Sequence, residues 1–213
     1  MTSTPRAQSR LTEHIAAERR ELADLLAALP EQAWDTPTLC AGWRVRELVA
    51  HMTMPFRYSA ARFVAELARS RGRFDAMADR CARRDGAAPV EDLLAALRDN
   101  VRHPWKPPGG GYQGALTHDV IHGLDLTVPL GLGRRVPEDR MLIVLQAITG
   151  AGARTHFGTD LSGTELRADD LDWSFGSGQP MTGAAQDLAL VCCGRKLPTG
   201  HLHGEPAARF TAA

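Results

Sequence analysis

Apolar residues recur with a helical period along most of the chain, and switch to alternation only near its end. Between Ala7 and Leu29, the residues Ile15, Leu22, Leu25, Leu26 and Leu29 form one stripe, which predicts an amphipathic helix. Pro30 and Pro37 then punctuate a loop that carries Trp34 and Leu39-Cys40-Ala41-Gly42-Trp43. A second helix is predicted from near Arg44 to about Ser70, with Val45, Val49, Met52 and Phe56 on one side. Pro55 lies inside it and cannot donate to the carbonyl of His51, so a kink is expected there. Further helices are predicted over Val90–Val101, Tyr112–Val128 and Glu138–His156. The run from His103 to Gly111, rich in Pro and Gly, can be neither helix nor central strand, and it lacks the spacing of a phosphate-binding loop. After Gly158 the period changes. Thr164–Ala168 and Leu171–Phe175 alternate, Gly176-Ser177-Gly178 reads as a turn, and a short helix is predicted from Gly183 to Cys193. The expected fold is mainly α: a helical bundle over residues 1–157, followed by a small α/β region over 158–213.

Composition narrows the function classes. The chain has 213 residues, with 25 Lys+Arg against 25 Asp+Glu, and 44% of its residues are hydrophobic. That is globular composition, long enough for a sizeable core. Zero net charge argues against a polyanion partner and a polybasic membrane anchor, so neither nucleic acid nor membrane is expected. The segment Arg69–Asp85 is rich in arginine but interleaved with Asp75, Asp79 and Asp85, and reads as a solvated helix face or loop. No secretory signal or 18-residue apolar run appears. Cys40, Cys81, Cys192 and Cys193 form no disulfide framework, and reduced thiols in a cytoplasmic protein are expected.

The chemistry sits in the histidines. In His118-Asp119-Val120-Ile121-His122, two imidazoles four residues apart share one helix face and can reach the same ion. Core packing produces the same spacing about as often. Asp119 stands where the zinc-protease signature has Glu, so that mechanism is not supported. Leu116, Val120 and Leu124 project from nearly the opposite side, which places the histidines on a cleft or second buried surface. Asp125, three residues after His122, can accept the ring N–H or be an exposed helix residue. A third ligand is required for a catalytic centre with an open position. The best candidate is His51, on a predicted face with Glu47 and Tyr58. His14, on the polar part of the first helix, His103, before the Pro-rich loop, and His156, at a helix end, are weaker candidates, and His201-Leu202-His203 reads as a solvated tail.

Several of these residues form recognisable elements. Cys40-Ala41-Gly42-Trp43-Arg44-Val45-Arg46-Glu47-Leu48-Val49-Ala50-His51 resembles the C-x-G-W-x-V-x-[DE]-L-x-x-H element of the mycothiol-dependent maleylpyruvate isomerase family, within the DinB-like metalloprotein superfamily. His118–Leu126 is similar to its second element, which ends in H-G-x-D. Asp172–Gly178 with Thr182–Leu188 resembles its C-terminal region. The resemblance implies a DinB-like four-helix bundle with a small C-terminal α/β appendage. It also implies metal ligation by His51, His118 and His122. In the isomerase pattern the first position of the later pair is glutamate, whereas here it is His118. Three histidines is the commoner DinB-like arrangement, and the departure leaves the substrate open.

The expected activity is therefore transfer to, or isomerisation of, an electrophilic small molecule by a divalent-metal enzyme using a low-molecular-weight thiol. The resemblance names that thiol as mycothiol. Zinc is the expected ion, and imidazole donors also suit nickel. Asp125 and Glu47 are the expected orienters of the ligands. A hydrolase using metal-bound water, or a non-enzymatic stress-response or ligand-binding bundle, are the alternatives. The oligomeric state is left open, a homodimer being compatible.

Overall fold

The computed structural model describes residues 5–150 and 158–212. Contacts divide the chain into two compact units, Met1–Ala115 and Leu116–Ala213.

In the first unit the helical stripes become the core. Helix α1 (Pro5–Ala27) buries Ile15, Leu22 and Leu26. A 3₁₀ turn (Glu31–Asp35) buries Trp34, and α2 (Val45–Arg57) buries Val45, Leu48, Val49 and Met52. α3 (Ala60–Arg69), α4 (Phe74–Asp85) and α5 (Val90–Arg98) follow. α2 packs against both α4 and α5, α1 against α5, and α3 against α4. Arg19 of α1 is buried, a position that the apolar stripe does not reveal. Its guanidinium donates to the carbonyl of His103 at 2.8 Å and lies over the Phe56 ring at 4.7 Å, which ties α1 to α2 and to the Pro-rich loop.

The predicted long second helix is two helices. α2 runs through Pro55 and ends at Arg57. Tyr58 is extended, and Ser59 caps α3 by accepting from the backbone N–H of Arg62 at 3.2 Å. The break follows the capping serine rather than the proline, because a Ser hydroxyl satisfies a first-turn N–H of the new helix. Tyr58 thus leaves the helix face it was expected to share with His51, and its hydroxyl donates to Asp85 at 2.6 Å. Most of the segment expected to be a solvated helix face or loop forms α4, whose inner face buries Met77 and Cys81 against Met54. α5 ends at Arg98, short of the predicted Val101.

Arginines of α4 close an ion-pair network around Glu66, with Arg80 at 2.6 Å and Arg84 at 2.7 Å. Those hydrogen bonds hold the Glu66 carboxyl down at about 2. A depressed folded-state value stabilises the fold above the ordinary carboxylate range, and that contribution is lost as pH falls from about 4.5 toward about 2. Glu66→Gln is expected to lower stability at pH 7 and to converge with the parent near pH 2. Urea midpoints measured across that range check it, and a difference independent of pH would refute it.

α6 (Gly111–Thr127) follows the Pro-rich loop, and from Leu116 onward its residues belong to the second unit. α7 (Glu138–Thr149) ends at Gly150, and the predicted extension to His156 falls outside the described residues. Then come β1 (Thr164–Ala168), β2 (Ser174–Gly176), β3 (Gln179–Gly183), α8 (Ala185–Cys192) and β4 (Leu202–His203). A final 3₁₀ turn covers Glu205–Phe210.

The sheet order is β2-β1-β3-β4, with β1 antiparallel to β2 and parallel to β3. Only Ser177 and Gly178 separate β2 from β3, so the chain must wrap tightly around the start of β1. Gly178 has φ +129°, and a Cβ there would come 2.2 Å from the Gly163 carbonyl oxygen, which only glycine avoids. α8 packs on α7, β1 and β3.

Gly183 ends β3 and does not begin the helix. The segment His201–His203 is no solvated tail: Leu202 and His203 pair with β3, Leu202 is buried, and His201 Nδ1 lies 3.0 Å from Asp187 Oδ2. Strand pairing between distant segments supplied the order that a Gly-rich composition conceals. The mainly α architecture with a small C-terminal sheet agrees with the sequence reading. No described helix is long and apolar enough to cross a membrane.

Candidate functional site

α6 has two dissimilar faces. Leu116, Val120 and Leu124 are fully buried, whereas the side chains of His118 and His122 are 17% and 16% exposed. One turn apart, the two imidazoles stand edge-on, with centroids 4.7 Å apart and planes at 85°. Each is gripped from behind by a carboxylate. His118 Nδ1 lies 3.0 Å from Asp119 Oδ1, and His122 Nδ1 lies 3.0 Å from Asp125 Oδ2. A carboxylate at Nδ1 selects the Nδ1–H tautomer, inferred from the hydrogen-bond partners, and places the lone pair on Nε2. Carboxylate–histidine pairs of this kind orient metal ligands.

Asp125 is fully buried and has a second partner. Arg195 donates from Nε to Oδ1 at 2.8 Å and from Nη2 to Oδ2 at 2.9 Å. Burial pushes the Asp125 carboxyl up, but the hydrogen bonds from Arg195 and His122 outweigh it and hold the group well below the usual carboxylate range. Burial pushes the His122 imidazole down against the pull of Asp125, so the ring is neutral at neutral pH, as a metal ligand must be. Nitrogen donors with carboxylates behind them suit a borderline divalent ion such as zinc or nickel, and the residues present fit that group.

In the first unit, His51 is half-buried on α2, with its ring 4.9 Å from that of Trp43. The Trp43 indole N–H donates to Asp79 at 2.9 Å, which fixes the aromatic wall beside the imidazole. Glu47 does not orient His51. Its carboxylate accepts from the Arg44 backbone N–H at 2.8 Å and from the Arg44 guanidinium, closing a capping box at the start of α2. Helix capping is the physical reason for an acid at that position. Burial pushes the Glu47 carboxyl up, yet the Arg44 hydrogen bonds win and leave it lowered.

Sequence reasoning missed Asp119 and Arg195. Adjacent helix residues do not face each other, so nothing in the periodicity pairs Asp119 with His118. Arg195 meets Asp125 across 70 residues of sequence. None of the four cysteines is in a disulfide bond; Cys81, Cys192 and Cys193 are buried, and burial pushes the Cys192 thiol up to about 12. These are packing residues, not nucleophiles.

Residues 15–104 match the family model described as the mycothiol maleylpyruvate isomerase N-terminal domain. Two solved structures of mycothiol-dependent maleylpyruvate isomerase, one of them a histidine-to-alanine variant, match over 97% of this chain and 97% of theirs. Both have a TM-score of 0.61, with identities of 12% and, for the variant, 11%. No curated protein matches the sequence. Residues 15–104 are thus similar to the mycothiol maleylpyruvate isomerase N-terminal domain, and along nearly its whole length the chain takes the fold of that isomerase.

Proposed function

We propose that the protein is a divalent-metal-dependent enzyme that uses a low-molecular-weight thiol, mycothiol, to isomerise or add to an electrophilic small molecule. The observation that carries this reading is the pair His118 and His122, each with Nδ1 held by a carboxylate, in a chain whose N-terminal half matches the mycothiol isomerase domain. His51, inside the matched stretch, is the proposed third ligand, as the resemblance of Cys40–His51 to the isomerase element implies. Zinc is the preferred ion.

When bound by neutral imidazoles, a divalent ion lowers the pKa of a coordinated thiol into the neutral range. The chain's own residues do the rest. Asp119 and Asp125 fix the tautomer and angle of the two α6 imidazoles, and Trp43 limits rotation of His51. Small molecules are the partners, in keeping with zero net charge.

Purified protein is expected to carry about one equivalent of zinc or nickel per chain. It is expected to isomerise maleylpyruvate, or consume a related electrophile, only with mycothiol present. Elemental analysis with a thiol-dependence assay decides this. Metal-free protein with full activity would remove the metal from the reading, and ester hydrolysis without thiol would replace it with a hydrolase.

A further inference from the structure

Arg195 is held in place by both its backbone and its side chain. α8 ends in a Schellman motif. Gly194 is left-handed at φ +79°, its N–H bonds the Val191 carbonyl at 2.9 Å, and the Arg195 N–H bonds the Leu190 carbonyl at 3.0 Å. That turn fixes the Arg195 backbone, and Nη1 is anchored on the Cys193 carbonyl at 3.0 Å. Nε and Nη2 then meet the two oxygens of Asp125 side by side. A bidentate guanidinium fixes both the position and the plane of a carboxylate, which a lysine cannot do. Asp125 in turn holds the Nδ1 edge of His122.

We propose that Arg195 is a positioning residue for the His122 imidazole of α6. By clamping Asp125 it sets the tautomer and the ring angle of His122, and so governs how well that ring ligates a cation. The metal part rests on the reading above, while the effect on the imidazole does not.

The test uses the full chain, with Arg195→Met and Arg195→Lys. Two quantities are measured: the His122 tautomer in metal-free protein, by ¹⁵N-resolved NMR of the ring nitrogens, and the zinc dissociation constant, by chelator competition. Arg195→Met is expected to mix the His122 tautomers and to weaken zinc binding about 10–100-fold, the usual effect of losing a partner behind a ligand. Arg195→Lys keeps the charge, folds as the parent does and recovers only part of the loss. Asp125→Asn combined with Arg195→Met is expected to cost little beyond Asp125→Asn alone, because both act through one contact. An unchanged His122 tautomer in both Arg195 variants overturns the proposal, as does parental zinc affinity in the presence of altered melting. If the tautomer shifts while the parent protein binds no zinc, the positioning role stands and the metal reading falls.

Discussion

Replacing His118 or His122 by alanine is expected to abolish metal retention and thiol-dependent turnover while leaving the apoprotein folded. Each ring is only partly buried, with its Nδ1 on a carboxylate, so removing it opens a space that water can enter. In His122→Ala the buried Asp125 keeps its bidentate partner Arg195, and no uncompensated charge is left inside. Metal affinity should fall by more than about 100-fold, since losing even a residue behind a ligand costs 10–100-fold. Elemental analysis with the zinc dissociation constant, a thiol-dependence assay, and circular dichroism on the same preparations read the three consequences separately. Variants that keep full metal content would show that the pair is packing and not ligation.

Half a turn away, the same helix should respond in the opposite sense. Leu124 is fully buried on the face away from the histidines. Leu124→Ala removes transfer energy and leaves a cavity, and is expected to cost about 3 kcal/mol. For a chain of this size that corresponds to a melting temperature lower by roughly 6–12 °C. The folded fraction should keep zinc affinity within about threefold, because no atom between His122, Asp125 and Arg195 is altered. Thermal unfolding followed by chelator competition at a temperature where the variant is folded checks both halves. A large loss of affinity with little loss of stability would mean that the two faces of α6 are not separable.

Those contrasting responses follow from how each feature was encoded. The apolar stripe of α6 and the four-residue spacing of its histidines are local properties of a period of about 3.6 residues, and both were legible in the sequence. The Asp125–His122 contact was legible for the same reason, being a three-residue interval on one helix. The apolar cores of α1 and α2 were equally visible, because Ile15, Leu22 and Leu26, and Val45, Val49 and Met52, recur at helical spacing. The end of α2 was misread because a proline is a conspicuous signal and a capping serine a quiet one. Glu47 was misassigned for a related reason. An acid near a histidine on a helix suggests an orienter, whereas the first turn of a helix gives an acid its own work in capping.

By itself, then, the sequence determined the helical period, the two-faced character of α6, the spacing of its imidazoles, and a resemblance to known elements around them. Only the tertiary structure decided that Arg195 clamps Asp125, that Arg19 lies buried against Phe56 and the Pro-rich loop, and that Leu202–His203 closes a sheet. The physical reason is the same in each case. A helix brings residues three or four positions apart together whatever surrounds it. A buried polar side chain must instead find its hydrogen-bond partner wherever the folded chain supplies one, here 70 residues away for Asp125 and 84 for Arg19.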